Sequence, residues 1–86
     1  MTDKELACVE LAVQELSRAT KLHPPLNSAH EAFAVVLEEC DELRHAVWLK
    51  QSDPARTDAM REEATHLAAM ALRFLHDITP PGDDEA

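Results

Sequence analysis

Val35-Val36-Leu37-Glu38-Glu39-Cys40-Asp41-Glu42-Leu43 runs an apolar segment directly into an acidic one, and its periodicity decides the fold. At roughly 100 degrees per residue, Ala32, Val35, Glu39, Glu42, Ala46 and Leu49 share one strip of a helix. Val36, Cys40, Leu43 and Val47 form a second strip beside it. Such a helix buries this surface, and two glutamates interrupt it. A buried ionised carboxylate is costly by several kcal/mol unless it is paired or binds a metal. Glu38 and Asp41 point to the flank and back, where a solvated carboxylate is ordinary.

Working outward, Ser28-Ala29-His30-Glu31 reads as a capping box that opens this second helix, which is expected to run to Lys50 or Gln51, roughly 22 residues and about 33 Å. Upstream, Thr2-Asp3-Lys4-Glu5 is a further capping box. It starts a first, shorter helix with a narrow stripe of Leu6, Val9, Val13 and Leu16, which Pro24 and Pro25 terminate. Downstream, Ser52-Asp53-Pro54 supplies a turn, a cap and a first-turn proline for a third helix ending near Asp77. Residues 1–79 are therefore expected to form a single all-α domain, with 80–86 as a flexible polar tail. The second and third helices form a long antiparallel hairpin that the first helix covers, and two hairpins are expected to pair into a four-helix-bundle oligomer.

Composition agrees with this class. The 86 residues include one Gly, no Tyr and 45% hydrophobic side chains, which favours helices over strands and turns. Seventeen acidic against eight basic residues leave a net charge of −9. That balance disfavours nucleic acid and anionic membranes as partners, and leaves phosphate ligands accessible only through bridging cations. Cys8 and Cys40 lack metal or disulfide spacing and read as free thiols. With no signal-like or membrane-spanning run, a cytoplasmic protein is expected.

The third helix repeats the anomaly of the second. Glu63 falls among Met60, Leu67, Met70 and Phe74 on the apolar arc, with His66 on its shoulder and Glu62 outside it. Glu39 with Glu42, and Glu63 with His66, are pairs three apart, close enough to share one cation. Glu-rich helical runs are usually solvated faces. Two such pairs on facing apolar stripes point instead to a metal site. Met60 and Met70 read as packing, and Trp48 as a contact for the first helix or an oligomer anchor. His30, Lys50 and Arg56 lie near the glutamate meridians, as phosphate contacts or as ordinary surface residues.

The stretch from His30 to Leu43, together with Arg61-Glu62-Glu63-Ala64-Thr65-His66-Leu67 and its continuation to Leu75, resembles small MazG-like proteins, many of them encoded by phage and prophage genomes. These belong to the all-α nucleoside triphosphate pyrophosphatases, which carry ExxE on one helix and ExxD on the next. The resemblance spans Ser28 to about Ile78. Glu39-Cys40-Asp41-Glu42 matches the first motif, and the second begins at Glu63. The resemblance implies bound magnesium or manganese, a nucleoside triphosphate substrate, and nucleoside monophosphate and pyrophosphate as products. Glu38 becomes the candidate to orient the attacking water. His66 stands where the family has aspartate, and imidazole suits manganese, zinc or iron better than magnesium. Longer members continue with further helices, so a pocket here would need a second subunit. Two alternatives keep the fold: a ferritin-like di-iron site built on Glu63-x-x-His66, and a non-catalytic oligomer that binds nucleotide or protein.

Overall fold

Thr2 starts the first helix because its hydroxyl accepts the N–H of Glu5 while the Glu5 carboxylate accepts the N–H of Thr2. The two bonds satisfy donors that a helix start leaves free. In the computed structural model, which describes residues 1–82, this helix, α1, spans Asp3–Leu22. It is followed by α2, Ala29–Val47, and α3, Arg56–Asp77, with no strand among the described residues. Pro80 to Gly82 of the expected tail are exposed, and the rest of it lies outside the described residues.

Helix α2 packs closely on α3 in opposite directions. At one end Arg56, opening α3, donates through both Nε and Nη2 to the carbonyl of Val47, the last residue of α2. At the other, Asp77, closing α3, accepts the N–H of Leu26 at 2.9 Å just ahead of α2. The core between them is small: Leu26, Ala32 and Met70 are buried, with Val35, Val36, Phe74 and Ile78 packed against them. Alanines at 32, 46 and 69 let the backbones approach.

Two boundaries, one cap and one relative length differ from the sequence expectation. Helix α2 ends at Val47, short of Lys50 or Gln51, because the Arg56 guanidinium takes up its terminal carbonyl and Trp48 turns back to bond Arg44. Helix α3 begins at Arg56, with Ala55 as an N-cap that makes no side-chain bond. Asp53 spends its side chain on the Ala55 N–H, closing a turn ahead of the helix. At Ser28 only half of a capping box forms: its hydroxyl accepts the Glu31 N–H, while the Glu31 carboxylate accepts from Asn27. Finally, α1 has 20 residues against 19 in α2, so it is not the shorter helix.

The larger correction concerns what α1 covers. It packs chiefly against α3, and its buried residues are Ala12 and Ala19. Leu6, Val9 and Val13, expected to face the hairpin, are exposed. Trp48 is 74% exposed, which does not fit a packing contact for α1. The two other helices keep uncovered apolar stripes too: Phe33, Leu37 and Cys40 on α2, and Ala64, Ala68, Ala71 and Leu75 on α3. The result is a slab of 51 × 32 × 19 Å with a radius of gyration of 14.5 Å, against about 12 Å for a compact domain of this length. No large side chain is fully buried among the described residues. No described helix is long and apolar enough to cross a membrane.

Because α1 leaves part of the hairpin open, a cleft of about 490 Å³ separates α1 from α2, floored by α3. One end of the cleft is closed by a buried latch. Arg73, 6% exposed, donates to the Pro24 carbonyl and pairs with Asp77 at 3.5 Å, which ties the α1–α2 connection to the end of α3.

Candidate metal centre

The antiparallel register of α2 and α3 brings the two motif pairs face to face. One ligand atom each from Glu39, Glu42, Glu63 and His66 lies within 4.8 Å of the others. Glu39, Glu63 and His66 are half-buried and Glu42 is exposed at the rim. His66 Nδ1 stands 3.8 Å from Glu39 Oε2 and 3.7 Å from Glu63 Oε2. Those two carboxylate oxygens are shut off from solvent and accept no hydrogen bond.

Burial raises the pKa of Glu39, and the charges of Glu42 and Glu63 push it further; His66 opposes them. Burial also raises Glu63, reinforced by the close approach of Glu42. Three carboxylates, two of them half-buried, are thus held together without cationic side chains enough to neutralise them. A divalent ion would supply what the four side chains lack: positive charge and ligation for the two orphaned oxygens. Three oxygens and one imidazole nitrogen suit manganese, iron or zinc better than magnesium. The residues present therefore fit a bound transition-metal cation.

The spacing of the two motif pairs predicts that these four side chains converge, and they do. The other sequence candidates stay apart. Glu38 is exposed on the flank of α2. His30 and Lys50 are exposed, and neither lines the cleft. Arg56 also lies outside it, its guanidinium committed to the end of α2.

Three residues that sequence reading passed over border the cleft instead. Glu15 on α1 faces the other side of the His66 ring, 3.9 Å from Nε2, and Arg18 grips Glu15 through both carboxylate oxygens. The Arg18 hydrogen bond holds Glu15 below the usual carboxylate range. Arg73, with Ala19, Leu26, Val35 and Met70, lines the same cleft. A visible signal existed for Arg73. It lies seven residues, two helical turns, beyond His66 on the arc that carries Met70, so a cation was due inside the fold.

No protein-family model, curated protein or solved structure matches this chain. The site must accordingly be read from its own geometry.

Proposed function

We propose that the protein is a metal-dependent nucleoside triphosphate pyrophosphohydrolase of MazG-like type, with Glu39, Glu42, Glu63 and His66 holding the cation and manganese favoured over magnesium. The observation that carries this reading is the convergence of those four side chains at a cleft while Glu39 Oε2 and Glu63 Oε2 remain without partners. A bound cation supplies charge neutralisation for phosphate oxygens and acidifies a water it holds. The chain supplies the rest. Glu42, the exposed member of the four, would accept a proton from water entering the cleft, whereas Glu38, the sequence candidate for orienting that water, lies on the exposed flank of α2. The apolar wall of Leu26, Val35 and Met70 gives a nucleoside somewhere to lie while its phosphates face the glutamates.

The experiment is pyrophosphate release from a panel of nucleoside triphosphates with manganese or magnesium. Turnover that disappears in Glu39→Gln is expected. No turnover with any triphosphate under either ion overturns the enzymatic reading, and nucleotide binding without turnover identifies the non-catalytic alternative. Because Glu63 and His66 approach within 3.7 Å, a ferritin-like iron site is the second reading. Iron-dependent absorbance and ferroxidase activity lost in His66→Ala would favour it.

The same reading includes self-association. Phe33 and Leu37 on α2 are 57% and 52% exposed, more apolar surface than a small monomer ordinarily leaves in water. Pairing two hairpins about a two-fold axis buries it. Sedimentation is expected to give a dimer or larger species for the native chain and a monomer for Leu37→Asp.

A further inference from the structure

Arg73 balances the charge of Asp77 and still has donors to spare. We propose that its guanidinium, buried at the closed end of the cleft, is the specificity-determining group that reads the base of the nucleotide and favours guanine over adenine. This inference rests on the nucleotide reading above and adds the base to it.

One face of α3 floors the cleft through His66, Ala69, Met70 and Arg73. Seven residues separate its two polar ends, about 10 Å along the helix axis. Between them the wall is apolar, formed by buried Leu26 and Met70 with half-buried Val35. A ligand that puts its phosphates at the His66 end and lays a flat, apolar ring along this wall brings the far edge of that ring to Arg73.

The state of the guanidinium says what that edge must carry. Arg73 is 6% exposed, and the Pro24 carbonyl, reached by Nη2, is its one hydrogen-bond acceptor among the described residues. Nε is shut off from solvent without a hydrogen bond and faces Asp77 Oδ2 at 3.5 Å. An arginine has five N–H donors, so both on Nη1 and the second on Nη2 are left for the cleft that the side chain lines. Buried donors without acceptors are unfavourable, and a ligand that supplies acceptors here gains what the chain does not provide. Asp77 already balances the positive charge, so the pair as a whole has little attraction for a phosphate. A neutral edge with two adjacent acceptors is what fits. Guanine presents O6 and N7 side by side and matches the two-pronged guanidinium, whereas adenine sets an amino donor beside N7 and opposes donor to donor. The other cations on the cleft, Arg18 and His23, are exposed, and Arg18 is held by Glu15.

The test varies the ligand first, so that it does not depend on a variant that folds. Calorimetric titration of the manganese-loaded native chain compares guanosine, 7-deazaguanosine and adenosine 5′-monophosphates. The guanine compound is expected to bind about 10- to 100-fold more tightly than the adenine one, and 7-deazaguanosine, which lacks the N7 acceptor, to fall between them. Arg73→Lys keeps a cation opposite Asp77 but removes the planar fork, and is expected to bring the guanine and adenine affinities together. A second readout needs no metal: guanosine added to the metal-free native chain is expected to shift the side-chain N–H signals of Arg73 in nitrogen-15 NMR, and adenosine to leave them in place. Equal affinity for the guanine and adenine compounds, or an undiminished guanine preference in a folded Arg73→Lys chain, overturns the proposal. Pyrophosphate release from triphosphates without a guanine preference leaves the hydrolase reading standing and removes the base assignment. If no triphosphate is turned over while guanosine still shifts the Arg73 signals, the hydrolase reading fails and the guanine subsite stands.

Discussion

Two polar clusters sit on α3, centred about four turns apart, and they solve the problem of buried charge in opposite ways. Around Asp77 the account closes. Burial pushes its carboxyl up, but the Leu26 N–H, His76 and Arg73 together hold it below the usual range. Arg73 Nε makes no hydrogen bond, yet it stands 3.5 Å from a charge that balances it. Around Glu63 the account stays open. Glu39 and Glu63 are raised, and each keeps an enclosed oxygen without a partner. A cluster that satisfies its own charges has a structural task, here to pin the α1–α2 connection. One that does not is what the proposed cation site requires.

Breaking the satisfied cluster is expected to have the largest effect. Arg73→Ala removes the cation and the Pro24 contact while leaving Asp77 buried, an arrangement that costs about 3 to 5 kcal/mol. Urea unfolding should show the midpoint falling accordingly. The double substitution Arg73→Met with Asp77→Leu removes both charges and should recover most of that loss. If the double variant is as unstable as the single one, the latch acts through Pro24 and Leu26 rather than through the charge pair.

Filling the unsatisfied cluster comes next in size. A ligand that binds only the folded chain at a hundredfold excess over its Kd stabilises by about 2.7 kcal/mol. Manganese at that concentration should raise Tm in the native protein and leave Arg73→Ala with the same increment, since the two clusters share no ligand. The increment should vanish in Glu63→Gln. A similar increment in that variant would place the ion elsewhere.

The open cluster was legible in the sequence, whereas the closed one showed there only as an arginine on the buried arc of α3 and not by its partners, for a physical reason. Glu39, Glu42, Glu63 and His66 announce themselves through helical periodicity, because each pair is local and the short α2–α3 turn dictates the register that joins them. The contacts of Arg73 and Asp77 depend on Pro24 and Leu26, separated from those partners by 49 and 51 residues. Periodicity places a residue on a face without saying what meets it there. The same limit explains α1: Leu6, Val9 and Val13 do form an apolar stripe, but the face that packs on α3 is the one with Ala12 and Ala19, where small side chains allow close approach. Glu15 escaped notice because it lies on that alanine face, and its partner is on another helix.

The smallest effect is the most diagnostic of the difference, because pH acts on the two clusters with opposite sign. Glu39 and Glu63 have folded pKa values above their unfolded ones. Their contribution to stability is therefore fully present below the ordinary carboxylate range and is lost as pH rises through the raised values. Asp77 is depressed, so its contribution is present above the ordinary range and is lost as pH falls through the lowered value. The metal-free protein should be most stable at mildly acidic pH, where the glutamates can hold protons and Asp77 remains charged. Glu63→Gln makes that uncharged state permanent. It should stabilise the metal-free chain at neutral pH by about 1 kcal/mol and flatten the alkaline side of the profile without moving the acid side. Loss of stability in Glu63→Gln, measured by urea unfolding without metal, would mean that Glu63 has a partner within the folded chain, and the contrast with Asp77 would collapse.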